Sequence, residues 1–172
     1  DDCSSRGLGD VYKRQAQLVI ALKPLHDLFV IKRIVVSTYQ SVSGAGKASM
    51  DELIKQTKLA LDGKDIKSEN FTKPIAFNAI PHIDVFSEDG YTKEELKMRN
   101  ETKKILDDKI DLTATCVRLP ISVSHSESVN IQFEKSFSLE QIKKALNSFD
   151  GCKVIDERLS LIHISEPTRR AI

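Results

Sequence analysis

Neither sign of charge prevails in this 172-residue chain: 26 Lys and Arg stand against 25 Asp and Glu, a formal net charge of +1. Bases never run five together, so there is no electrostatic case for nucleic acid or for an anionic membrane surface as partner. Cysteine is scarce. Cys3, Cys116 and Cys152 make an odd number without paired metal-ligand spacing, which speaks against a disulfide framework and against a zinc site. A reducing cytoplasm is the compartment that fits such usage. Apolar runs long enough to span a bilayer are missing, no signal-peptide pattern opens the chain as written, and neither an internal repeat nor a low-complexity segment interrupts it. What is present is 40% hydrophobic and 30% charged sequence, the make-up of one globular domain able to bury a core.

The two ends read differently from the middle. Residues 1–15, DDCSSRGLGDVYKRQ, follow neither a helical nor a strand period and do not start with methionine. SSRGLGDVYKRQ resembles translated adapter sequence found at the ends of open reading frames in metagenomic assemblies, and LSLIHISEPTRR, residues 159–170, resembles its counterpart. Residues 1–15 and 159–172 are therefore expected to be extensions foreign to the domain, which occupies 16–158.

Within the domain, residues 16–29 put Leu18, Ala21, Leu22, Leu25 and Phe29 on one helical face, with a kink or restart expected at Pro24. Residues 31–39, IKRIVVSTY, have the β-branched content of a strand buried on both sides. The loop SVSGAGK, 41–47, could let backbone approach an anion or could be a simple tight turn. It leads to a helix expected from Ser49, with Ser49-x-x-Glu52 as a capping box, to Leu61. A polar loop follows over 62–73, then an extended or strand segment over 74–83, broken at Pro81. Thr92-x-x-Glu95 opens a helix toward Asp108, with Leu96, Ile105 and Leu106 on its inner side. Ser138-x-x-Gln141 opens a last helix to Phe149, and 152–155 is a closing strand.

Between these helices lies LTATCVRLPISVSHSESVNIQFE, residues 112–134. Val117, Leu119, Ile121 and Val123 alternate with Arg118, Pro120, Ser122 and Ser124, and Val129, Ile131 and Phe133 resume the period after a turn at 125–128. This predicts a hairpin with Arg118 on its polar face. A guanidinium there can match a carboxylate or phosphate and His125 can move protons at neutral pH; equally, both can be plain solvated surface. The order of elements argues for an α+β domain with a mixed, largely antiparallel sheet and helices on one face.

Five segments then carry a family resemblance: VVSTYQSVSGAGK (35–47), IAFNAIPHIDVF (75–86), GYTKEELKM (90–98), ETKKIL (101–106) and TATCVRLPISVSHSESVNIQFEK (113–135). Together they resemble the carboxy-terminal catalytic and dimerisation domain of aspartate-semialdehyde dehydrogenase, across essentially all of 16–158. The resemblance implies a fold similar to the catalytic domain of glyceraldehyde-3-phosphate dehydrogenase, a homodimer, and a preceding nucleotide-binding domain of Rossmann type. The implied reaction is NADPH-dependent reduction of aspartyl phosphate to aspartate semialdehyde, with release of phosphate, on the route to lysine, threonine and methionine.

The same resemblance implies roles by position. His125 matches the general acid/base, Arg118 the residue holding the substrate carboxylate, and Gln40 the glutamine that orients the substrate. Glu94 matches a contact to the substrate amino group and Lys97 one to the phosphate, replacing the exposed salt bridge that their spacing of three alone would suggest. Ser43, Gly44 and Gly46 fall where the family's loop approaches NADP, and Ser124 stands where a glycine is common. The family's nucleophilic cysteine follows an asparagine at the start of the first helix; counting back four from Gln17 puts it at Lys13, inside the prefix. Cys3 is too far upstream to replace it, and Cys116 and Cys152 are expected as core thiols. His26 and His82 are expected to be structural, and His163 belongs to the tail. The chain as written is thus expected to be an inactive fragment that binds NADP poorly; the competing expectation is a noncatalytic α+β oligomerisation or small-anion-binding domain.

Overall fold

A computed structural model describes residues 15–156 and 163–164. The expectations for Cys3, for Lys13 and for most of the two end segments lie outside the described residues. The chain is α+β, with a mixed three-stranded sheet. Its elements are α1 (Gln15–Phe29), β1 (Ile31–Gln40), a short 3-10 turn over Val42–Ala45, α2 (Lys47–Leu61), α3 (Lys93–Ile105), β2 (Asp111–Arg118), β3 (His125–Phe133), α4 (Leu139–Asn147), β4 (Val154–Ile155) and β5 (His163–Ile164). The strand order is β2-β1-β3, and β4 pairs antiparallel with β5. The hairpin expected over 117–133 does not form: β2 and β3 are consecutive in sequence, yet each pairs with β1.

The register of β2 overturns a second expectation. Its inward row is Leu112, Ala114, Cys116 and Arg118, not Val117 and its alternates. Three apolar residues set the parity of the row, and Arg118 inherits the inward position as its last member. The chain leaves the strand after Arg118, so Ile121 and Val123 stay exposed. From Ile34 onward the even positions Ile34, Val36, Thr38 and Gln40 of β1 are buried while Val35, Ser37 and Tyr39 are exposed or half-buried. That strand covers a core on one side rather than both.

The chain divides into two compact units. Of the described residues, the first comprises 15–34, Glu101–Asp111 and those from Ile131 onward. Its core brings Leu25 and Phe29 of α1 against Ile142, Ala145 and Leu146 of α4, with Ile131, Phe133, Cys152 and Val154 around them. Phe133 meets Phe29 and Phe137 edge-on, at 5.6 and 5.0 Å between centroids, an arrangement that adds to the area buried. Helix α4 has the capping box read from Ser138 and Gln141. Pro24 does not divide α1, which runs through it. A proline at that place cannot donate to the carbonyl of Ile20, four residues back. The Cys152 thiol donates to that carbonyl instead, at 3.7 Å. His26 is structural as expected: its Nδ1 accepts from the amide of Ile31 at 3.2 Å, just past the end of α1.

The second unit comprises Val35–Asn100 and Leu112–Asn130. Val42, Leu53, Ile75, Ala76 and Ile80 form a core cluster in it. Residues 74–83 are not a strand; Ile80 makes a single antiparallel bridge to Arg118. A pair of buried side chains on α2 holds the start of this segment and the loop before it. Glu52 accepts from the amides of Glu69 and Asn70 at 2.9 and 2.7 Å, and Gln56 accepts from those of Ile75 and Ala76 at 2.8 and 3.1 Å. Glu52 is therefore not a cap partner of Ser49. Helix α2 begins earlier, at Lys47, and Ser49 donates to the carbonyl of Ala45. The capping box of α3 forms as read, Thr92 to Glu95 at 2.9 and 3.3 Å. Its inner positions, however, are Glu94, Met98 and Thr102, while Ile105 is exposed.

Candidate active site

Every residue assigned a role by the resemblance lies in the second unit, and Ser41 joins two of them. Strand β1 ends at Gln40, and the chain runs on beside 119–122. Leu119 donates to the Gln40 carbonyl at 2.9 Å, Val42 to Ile121 at 2.9 Å and Ser43 to Ser122 at 3.2 Å. Ser41 is wholly buried in this seam and extended, at φ −71 and ψ 158. Its amide donates to Nδ1 of His125 at 3.0 Å, and its carbonyl accepts from Nη1 of Arg118 at 2.7 Å. Residues 77 and 84 positions downstream are thereby fixed on one short stretch of backbone.

Arg118 is 5% exposed, so the solvated-surface reading fails for it. A buried guanidinium needs acceptors, and the Ser41 carbonyl is one. His125 is half-buried and opens β3, so 125–128 is strand and not the expected turn. Ser124 turns the chain into it at φ 87, a left-handed conformation that suits glycine better than serine.

A second pair adjoins the first in sequence. Gln40 is buried, and its Nε2 donates to Thr38 Oγ1 at 3.1 Å and to Glu94 Oε1 at 3.4 Å. Glu94 lies in the first turn of α3, where the helix dipole favours a negative side chain. Glu95 ties the same turn to β2, since its Oε1 accepts from the amide of Cys116 at 3.1 Å. Lys97, half-buried, follows Glu94 by one turn on α3. Burial pushes the Cys116 thiol up to about 11, so it is protonated at neutral pH and inert as a nucleophile. Among the described residues no three His, Cys, Asp or Glu side chains gather as metal ligands, and no helix is long and apolar enough to cross a membrane.

Ser43, Gly44 and Gly46 sit on the 3-10 turn and its exit. The turn uses its own amides, with those of Val42, Ser43 and Gly46 bonded within the chain. Gly44 and Gly46 are exposed, and Gly46 is at φ 94 and ψ 177 with no atom within 4 Å of where a Cβ would stand. This bare edge is not a cradle for a whole dinucleotide.

Sequence reasoning missed Ser41. Its residue type carried no signal, and its importance comes from main-chain groups that any residue possesses.

Comparison with known proteins places the chain in a family. The family model for the semialdehyde dehydrogenase dimerisation domain matches residues 22–172. The aspartate-semialdehyde dehydrogenase of Aquifex aeolicus is 53% identical over 142 residues, which cover 81% of this chain and 42% of that protein. Among solved structures, aspartate semialdehyde dehydrogenase II of Vibrio cholerae complexed with ASA is 46% identical with a TM-score of 0.79, covering 81% of this chain and 42% of the other. The enzyme of Candida albicans with NADP is 24% identical at a TM-score of 0.55, covering 81% and 36%, a likeness of fold alone. The chain spans about 42% of the length of the Aquifex and Vibrio relatives. The chain belongs to the semialdehyde dehydrogenase dimerisation-domain family.

Proposed function

We propose that this chain is the catalytic and dimerisation part of an aspartate-semialdehyde dehydrogenase, working in the cytoplasm as a homodimer on aspartyl phosphate and aspartate semialdehyde. The observation that carries the reading is the meeting of His125 and Arg118 on Ser41, beside the Gln40–Glu94 pair. Arg118 offers a forked donor for the substrate carboxylate, and Glu94 an acceptor for its ammonium group. Gln40, held between Thr38 and Glu94, orients the substrate, and Lys97 supplies a point charge for phosphate. His125 serves proton transfer at the reacting oxygen. NADP, when bound, takes or gives hydride, with Ser43, Gly44 and Gly46 against one edge of it. The thiolate that would attack the aldehyde comes from sequence upstream of Ala16, where residues 1–15 stand as a foreign extension, with 159–172 its counterpart at the other end.

The test is a chimera in which residues 16–158 replace the matching part of the Aquifex relative. It is expected to oxidise aspartate semialdehyde with NADP and phosphate, while the chain as written shows no rate above its own His125→Ala variant. A folded, dimeric but inactive chimera contradicts the proposal, as does turnover by the chain as written.

A further inference from the structure

We infer that Ser41 is a positioning residue whose main chain sets the tautomer of His125 and anchors Arg118 at the same time; the catalytic meaning of this rests on the dehydrogenase reading, its geometry does not. A backbone amide is always a donor. With the Ser41 N–H aimed at Nδ1 over 3.0 Å, that nitrogen must present a lone pair, so the neutral ring carries its proton on Nε2. In this form His125 is a hydrogen-bond donor toward the reacting oxygen, suited to an oxyanion as the carbonyl is attacked. In this form it accepts no proton at Nε2. The Ser41 hydroxyl also lies beside the ring, 3.4 Å from Nδ1 and 2.9 Å from Oγ of Ser43. One buried residue thus offers His125 a fixed donor and a rotatable hydroxyl.

The carbonyl of the same residue accepts from Arg118 at 2.7 Å. Ser41 is fully buried and its neighbours Gln40, Val42 and Ser43 are bonded to 119–122, so it cannot shift alone. The group that moves protons and the group that grips the carboxylate are therefore both tied to the main chain of one residue.

The experiment is nitrogen-detected NMR of the imidazole rings in the full chain, at a pH where they are neutral, with His125 assigned by its loss in His125→Asn. An amide hydrogen bond of about 1.4 kcal/mol predicts roughly a tenfold or greater excess of the Nε2–H tautomer. Ser41→Ala keeps the amide and is expected to keep that excess, and exchange of the Ser41 amide is expected to quicken about tenfold in His125→Ala. A ring protonated at Nδ1 overturns the inference. So does loss of the excess in a folded Ser41→Ala variant, since the hydroxyl and not the main chain would then be holding the ring. None of these readouts involves turnover, so an inactive chimera leaves the tautomer result standing, and a wrong tautomer leaves the dehydrogenase proposal standing.

Discussion

Ser124 holds φ 87, a conformation L side chains rarely adopt, and the residue after it is His125. The serine is exposed, so its side chain recovers little by packing. Ser124→Gly is expected to stabilise the fold by about 1 kcal/mol, less the extra freedom glycine gains when unfolded. A higher midpoint in thermal denaturation checks this, and a lower one refutes it. Cys116 makes a second residue-scale prediction. Its thiol ionises near 9.0 when exposed and about 11 in the fold, so the folded state disfavours the thiolate. That contribution is complete below pH 9 and is lost as pH rises from 9 to 11. It is worth at most about 2 to 3 kcal/mol. Urea titrations across that window should show stability falling, more steeply than in Cys116→Ala. Legibility at this scale was uneven. The chemistry of Arg118 and His125 could be read from residue type, but the burial of Arg118 could not, because that depends on which parity of β2 faces inward.

Among the elements, helix caps were the most legible features, because a cap is a local contract between residues three apart. Thr92 with Glu95 and Ser138 with Gln141 formed as their spacing indicated. Ser49 with Glu52 shows the limit of the rule. The same pattern was claimed by tertiary structure, with Glu52 turned to the amides of Glu69 and Asn70. Strand partners were the least legible. Continuous alternation on either side of a polar turn suggests a hairpin, yet both strands flank β1, which lies far upstream. Two substitutions test the elements. Glu52→Ala strips the amides of Glu69 and Asn70 of their acceptor and should cost roughly 1 to 2 kcal/mol. Hydrogen exchange should then quicken at those two amides before it does in α4. Phe29→Ala removes the ring that meets Phe133 and Phe137 and should cost about 3 to 4 kcal/mol in denaturant unfolding.

For the whole molecule, fold class and family were both accessible from the sequence, the first from the order of elements and the second from five motifs in succession. The shared backbone anchor of the site was not, since it is made of atoms common to all residues and appears only when 40–43 and 119–125 lie together. Under the proposed function this anchor holds the dehydrogenase site together once the upstream half is supplied. Steady-state kinetics of His125→Ala in the chimera with the Aquifex upstream half test it most directly. If His125 serves proton transfer, kcat should fall by about 10² to 10⁴ while KM for the semialdehyde changes only a few-fold. A kcat that stays within about threefold of the parent would mean that the residue held on Ser41 takes no part in the chemistry, and would contradict the account.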